Sequence, residues 1–220
     1  MRTVLCLALA AIPAFSTIVD RIAITLGAKV ITESEIIRRI RLTAFQNGQI
    51  PDYSDTSRRE AAQRLIDLKL VEREMDIGHY SRTPPDQAKT LLGAFTAEHF
   101  RSSPEKLQQA LAGLSLTLAD LQGELAEQAD LLSFTSLRFR PAVQISDQEI
   151  EEYFHSHIQA PTGPNKAAGS VTLDEARPNI EQILANERAD LDLDAWLRDQ
   201  RTRTRINYLE KELAPVGAEQ

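Results

Sequence analysis

Residues 19–36 read VDRIAITLGAKVITESEI and join a two-stranded pattern directly to the start of a helix. Apolar residues alternate with polar or small ones, and Gly27-Ala28 suits a two-residue turn with glycine first. The inward-facing members of this alternation are Ile22, Ile24 and Leu26. Thr32 and Glu35 then have the spacing of a capping box, in which a hydroxyl and a carboxylate satisfy free N–H groups. The segment therefore predicts a β-hairpin over residues 19–32, followed at once by a helix.

An isolated hairpin is marginal in water, so this one needs a further strand or a helix to cover it. Residues 203–209 supply a second alternating segment near the other end of the chain, with Thr204, Ile206 and Tyr208 on one face. We expect this late strand to pair with the hairpin and to tie the two ends of the chain together.

The residues between these strands have helical patterns, and turn or capping signals mark the helix starts. A long helix is predicted to run to Met75 and to end near Gly78, and its apolar face is wide, as for a centrally packed helix. The predicted N-terminal caps are Thr32, Ser57, Thr83, Ser103, Thr117, Ser146 and Thr172. The predicted fold class is mainly α, with one small β-sheet.

Residues 1–16 have the layout of a secretory signal peptide. Arg2 is followed by the uncharged, mostly apolar run Thr3–Phe15, and small residues precede a cut before Thr17. The run is too short to span a bilayer comfortably, and an uncleaved anchor or a buried strand is the alternative. Removing it also removes Cys6, the only cysteine, so disulfides cannot hold the mature chain. We expect an exported protein, periplasmic in location.

The charge balance restricts the classes of partner. The chain has 25 basic and 32 acidic residues and a net charge of −7. Such an excess of negative charge argues against nucleic acid or anionic lipid as the main partner. Outside the N-terminal segment, no run approaches the roughly 18 apolar residues of a membrane span, so stable membrane insertion is not expected.

One segment differs in composition from the helices around it. Residues 158–171 contain APTGPNKAAGS, which is rich in proline, glycine and small residues and indicates a linker. The predicted organisation is a helical module over residues 17–157, this linker, and a helix and strand over residues 172–210 that complete the same module. Residues 211–220 are predicted to be a tail.

The search for catalytic chemistry gives little. No phosphate-binding glycine loop and no G-x-S-x-G motif occurs in the sequence. Glu151 and His155 are four residues apart and could share a helix face, but no third ligand has matching spacing. We expect no catalytic residue, no metal site and no cofactor, and the protein is predicted not to be an enzyme.

Apolar residues in two short helices suggest binding instead. In this region, apolar helix faces are flanked by polar loops, which could leave an open groove for extended or unfolded segments. The candidate client-binding residues are Phe95, Phe100, Leu107, Leu111 and Leu114. The alternative is that these residues only pack the core.

Several segments, in order, resemble the SurA-type periplasmic chaperones. Residues 19–36 resemble the start of the mature family members, where a hairpin leads directly into a helix. Residues 58–78, RREAAQRLIDLKLVEREMDIG, look like the family's long second helix. The further matching segments are 114–132 (LSLTLADLQGELAEQADLL), 143–154 (VQISDQEIEEYF) and 172–209, which resembles the closing helix and strand.

This resemblance implies an ATP-independent chaperone that binds unfolded outer-membrane or secreted polypeptides. Relatives carry at least one parvulin-type prolyl isomerase domain, on the order of 90 residues or more, where residues 158–171 stand here. Fourteen residues cannot fold into a domain with its own core. The resemblance therefore implies the chaperone module without isomerase activity. The alternatives are a dedicated envelope assembly subunit that uses the same apolar face, including as a homodimer, and an isomerase with an unrecognised site.

Overall fold

The computed structural model describes residues 20–158 and 171–215. Within these residues the chain forms seven α-helices and one three-stranded sheet. The bounds are β1 Ile22–Leu26, β2 Lys29–Thr32, α1 Glu33–Gln46, α2 Asp55–Ile77, α3 Pro85–Phe100, α4 Pro104–Ala112, α5 Leu118–Arg138, α6 Asp147–Tyr153, α7 Leu173–Arg203 and β3 Ile206–Tyr208. Short 3-10 turns at Arg140–Ala142 and Lys211–Leu213 and a π-helical turn at Phe154–Ile158 complete the order. The mainly helical fold with a small sheet is confirmed.

The sheet joins the two ends of the chain, as predicted. Its strand order is β2-β1-β3, and both pairings are antiparallel, so β1 is the central strand. Gly27 has a φ of +57°, which glycine adopts without the steric cost that a Cβ brings to a tight turn. Strand β3 is shorter than the predicted 203–209, because α7 continues to Arg203.

The predicted alternation in β1 is wrong at its first residue. Ile22 is 42% exposed, whereas Ala23 and Ile24 are both fully buried. The register of β1 against β2 shifts between Ile22 and Ile24. An irregularity of this kind inserts an extra residue and moves the residue before it to the other face of the sheet.

The main core lies between the sheet and the first two helices. Ile24 and Ile31 on the sheet pack against Ile36 on α1 and against a wide apolar face of α2. The α2 members of this core are Ala61, Ala62, Leu65, Ile66 and Leu70. Helix α2 is thus the centrally packed helix that its apolar pattern predicts.

Most predicted helix starts are confirmed. Thr32, Thr117, Ser146 and Thr172 each form a reciprocal capping box with the acidic residue three positions later. Ser103 caps α4, with Pro104 as its first residue.

Two predicted caps are wrong by one turn or less. Helix α2 begins at Asp55 and is capped by Ser54 rather than Ser57. Asp52 accepts hydrogen bonds from the Ser54 backbone N–H (2.9 Å) and the Ser57 hydroxyl (2.5 Å), which fixes the earlier start. Helix α3 begins at Pro85, and the Thr83 hydroxyl donates instead to Asp130 on α5 at 2.6 Å.

A separate apolar cluster joins α6 to the first part of α7. Ile150 and Phe154 pack against Ala176 and Ile180. Two exposed ion pairs cross the same contact, Arg177 to Asp147 and Arg188 to Glu149, each at 2.6 Å. Hydrogen bonds from Ser146 and Arg188 lower the pKa of Glu149 to about 2.

Parts of the predicted organisation lie outside the described residues. These are the signal peptide at 1–16, residues 17–19 of the helical module, residues 159–170 of the linker and residues 216–220 of the tail. At the other end, the predicted tail of 211–220 begins with a 3-10 turn whose Leu213 is 1% exposed and belongs to the main core. Ordered packing therefore continues past residue 210, through Leu213.

Replacement of Ile24 by alanine tests the central position of β1. Ile24 is fully buried between its partners Ile31 and Tyr208, so the substitution leaves a cavity in the main core. We expect the free energy of unfolding in urea to fall by about 2–5 kcal/mol. Val30→Ala is the control, because Val30 of β2 is 42% exposed. Its free energy of unfolding should change by no more than about 0.5 kcal/mol. Equal losses in both variants would contradict this placement.

Candidate functional site

The five predicted client-binding residues lie together in one apolar cluster. Leu107 and Leu111 of α4 are 1% and 0% exposed and form its interior with Leu42, Leu116 and Leu121. The other three predicted residues, Phe95, Phe100 and Leu114, are partly buried against that interior.

Ring contacts occupy much of the aromatic surface in this cluster. Phe45 of α1 stacks on Phe100 with ring centroids 6.0 Å apart and lies 6.1 Å from Phe95. In this arrangement Leu107 and Leu111 are core residues that a client cannot reach. A role of Phe95, Phe100 and Leu114 in client binding stays a prediction.

An open cavity lies elsewhere, between α1, α2, α5 and α7. We call it the central groove, and its volume is about 470 Å³. Its apolar floor consists of Leu68, Val71, Leu131, Leu193 and Leu197. The polar lining residues are Arg39, Thr43, Gln46, Asn47, Arg64, Asp67, Glu124, Glu127, Gln128 and Asp194.

Helical spacing explains why these residues meet. On α5, Glu127 and Gln128 lie three and four residues after Glu124 and four and three residues before Leu131, so all four share one face. On α1, Arg39, Thr43 and Gln46 have the same spacing, and Asn47 follows as the C-terminal cap. Each helix thus contributes one stripe, and the stripes mix apolar and charged side chains.

One wall of the groove contains an ion triad. The Arg39 guanidinium donates to Glu124 and, at 2.7 Å, to Glu127. The side chains of Arg39 and Glu124 are only 14% and 6% exposed. Gln128 donates to the other oxygen of Glu124 at 2.9 Å, which leaves that buried carboxylate fully satisfied. Burial raises the pKa of Glu127, and the neighbouring Arg39 opposes that rise.

Two further acidic side chains line the groove, Asp67 from α2 and Asp194 from α7. Arg201 makes a bidentate contact with Asp67, in which Nε and Nη2 donate to the two carboxylate oxygens at 2.7 and 2.6 Å. Burial raises the pKa of Asp67; Arg201 opposes the rise, and the nearby charge of Asp194 adds to it. Asp194 itself is exposed at the groove.

Sequence reasoning missed this groove as a site. Leu68 follows Ala61 and Leu65 at helical spacing and so belongs to the wide apolar face predicted for α2, but the polar lining residues form no motif. The available signal was the placement of charged residues such as Asp67 and Glu124 within otherwise apolar helix faces. Buried charges at such positions need partners, and those partners come from helices that are distant in sequence.

The histidine pair near the end of α6 has ordinary local contacts. His157 stacks on Tyr153 with centroids 4.2 Å apart, and its Nδ1 lies 2.8 Å from the Ser156 hydroxyl. Within residues 20–158 and 171–215, no group of three or more potential metal ligands is arranged to hold an ion. Nor does that part of the chain contain a helix whose length and hydropathy would suit a membrane crossing.

In comparisons with known proteins, no family model matches the chain, and no curated protein sequence is significantly similar to it. The resemblance to SurA-type chaperones therefore stays a prediction from the order of the sequence segments.

Removal of Arg39 tests the ion triad. Arg39→Met leaves the buried Glu124 without its cation, so we expect the free energy of unfolding at neutral pH to fall by about 3–5 kcal/mol. Arg38→Met is the matched control, because Arg38 is 50% exposed and pairs with Asp120 at 3.4 Å. Its loss should stay below about 1 kcal/mol. Similar losses in both variants would show that the triad has no special role in stability.

The raised pKa of Glu127 makes the free energy of unfolding depend on pH. The folded state holds this proton more tightly than the unfolded state does, so stability falls as pH rises above the ordinary value of 4.5. Glu127→Gln should remove this part of the decline, as measured by urea unfolding between about pH 4 and 7. Glu187→Gln, at an exposed position on α7, should leave the decline unchanged. A steeper decline in Glu127→Gln would contradict the assignment.

Proposed function

We propose that this protein is an ATP-independent chaperone of the periplasm, which binds unfolded exported or outer-membrane polypeptides and has no prolyl isomerase activity. The observation that carries the proposal is the central groove. Its volume of about 470 Å³ falls within the usual range of binding sites, about 300–1,000 Å³.

The lining of the groove suits a segment of unfolded polypeptide. Leu68, Leu131 and Leu197 of the floor are half-buried and offer apolar contacts to client side chains, whereas Val71 and Leu193 are buried. On the rim, Gln46 and Asn47 have amide groups that can both donate and accept hydrogen bonds. An unfolded chain presents apolar side chains together with free backbone N–H and C=O groups, and the groove has counterparts for both.

Three features of the sequence support the rest of the proposal. The pattern of residues 1–16 favours export, and the 14 residues from 158 to 171 leave no room for an isomerase domain with its own core. The sequence has no phosphate-binding glycine loop, which supports binding without nucleotide.

An aggregation assay tests chaperone activity. An unfolded outer-membrane β-barrel is diluted from urea, and light scattering is followed with and without the purified protein at micromolar concentration. We expect scattering to be delayed and reduced in proportion to the protein added. Unchanged scattering at a molar excess would overturn the proposal.

A pair of neighbouring leucines tests whether the groove is the binding site. Leu131 lines the groove, whereas Leu132 is 71% exposed and lies outside the groove lining. Leu131→Gln should bind the unfolded barrel about tenfold more weakly, because it removes apolar contact area. Leu132→Gln should bind as the unchanged protein does. If Leu131→Gln fails to fold by circular dichroism, Leu68→Gln tests the same floor.

Two further measurements separate the proposal from its alternatives. A proline-peptide isomerisation assay should show no acceleration above the uncatalysed rate, and clear catalysis would favour an isomerase. Analytical ultracentrifugation reports the oligomeric state. A stable dimer that binds no unfolded chain would favour a dedicated assembly subunit.

A further inference from the structure

We propose that the central groove selects apolar client segments that carry a lysine or arginine. The inference rests on the proposed function and deepens it, because it names the chemistry of the preferred client. It is carried by the charges that line the groove and by the way in which they are paired.

The groove lining has an excess of negative charge. Four carboxylates line it, from Asp67, Glu124, Glu127 and Asp194, against the two guanidinium groups of Arg39 and Arg64. Arg201, which lies outside the lining, pairs with Asp67, so one negative charge remains in excess. Arg64 also lines two neighbouring depressions, one on the other side of α1 and one near Pro215. The sign of the lining matches the net charge of −7 for the whole chain, which favours the approach of cationic segments.

The pairing within the triad leaves negative charge facing the groove. One guanidinium, that of Arg39, serves two carboxylates. Glu124 is 6% exposed and also accepts from Gln128, so it is satisfied within the protein. Glu127 is 39% exposed, and it therefore remains accessible to a bound cation.

Asp67 and Asp194 have the same arrangement, in which an arginine satisfies one carboxylate and the other carboxylate stays accessible. Arg201 is fully engaged with Asp67, to which it makes both of its short contacts. Asp194 lies close enough to Asp67 to influence its ionisation and is itself exposed. Glu127 and Asp194 are thus two accessible carboxylates beside one apolar floor.

A bound client strengthens the selection. When an apolar segment covers the floor, it displaces water, and charge interactions at the edge of the groove become stronger. A lysine or arginine can lie along the leucines with its methylene groups and place its charge at the carboxylates. A client aspartate or glutamate at the same position meets like charge, which opposes binding.

Three synthetic peptides test the inference. They share one leucine-rich sequence and differ at two central positions, which are both lysine, both glutamine or both glutamate. Fluorescence anisotropy with the purified protein gives the dissociation constants at low salt. We expect the lysine peptide to bind about three- to tenfold more tightly than the glutamine peptide, and the glutamate peptide to bind most weakly.

Substitutions assign the preference to the named carboxylates. Glu127→Gln and Asp194→Asn should each lower the ratio of the affinity for the lysine peptide to the affinity for the glutamine peptide. Asp192→Asn makes the same charge change on the same helix but lies outside the groove lining, and it should retain the full preference. If Glu127→Gln unfolds, Asp194→Asn at its exposed position still provides the test.

The outcomes distinguish the inference from the function on which it rests. Equal binding of the three peptides, or an unchanged lysine preference in both groove variants, would overturn the charge selection and leave chaperone binding intact. No binding of any peptide, together with no effect on barrel aggregation, would overturn the proposed function and the inference with it.

Discussion

The pairing of β3 with β1 is the constraint on which the rest of the structure depends. Asn207 of β3 donates to Thr25 of β1 at 3.0 Å across 182 residues of sequence. In the sheet, β3 pairs with the edge of β1 that β2 leaves open. Ion pairs and hydrogen bonds to α2 reinforce this closure: Arg58 binds Glu210 at 2.7 Å, and Arg73 donates to Thr204 at 3.1 Å. Because β3 is fixed in this way, α7 must approach α2 just before it, and the fold closes around α2.

The central groove follows from that closure. Its floor combines Leu68 and Val71 of α2 with Leu131 of α5 and with Leu193 and Leu197 of α7. The Asp67–Arg201 contact holds α7 beside α2, while the triad of Arg39 holds α1 beside α5. The ion pairs that position the helices are therefore also the polar boundary of the groove. Structural stability and the electrostatic character of the site depend on the same side chains.

Local sequence patterns predicted most of the fold. They predicted little of the groove, because the groove depends on contacts between residues that are distant in sequence. Capping boxes at Thr32 and Ser146 and the glycine turn at Gly27 act within a few residues, so their patterns are visible in sequence. The cap at Ser54 depends on Asp52, a side-chain competition that the pattern around Ser57 does not show. The candidate client residues Leu107 and Leu111 are core residues. The sequence could not show this, because a buried and an exposed apolar helix face have the same sequence pattern. The groove brings together four helices whose arrangement no local pattern contains.

The wide separation of β1 and β3 also sets an order of events during synthesis. At about 5–20 residues per second, the ribosome makes the partner of β1 some ten to forty seconds after β1 itself. Until then the open edge of the hairpin has unpaired backbone groups, and the groove has no α7 wall. Formation of this contact must also overcome the entropy of closing a very long loop. The chain therefore completes the central groove in the last step of its own folding, and a truncated or nascent copy would itself expose the kind of segment that the complete protein is proposed to hold.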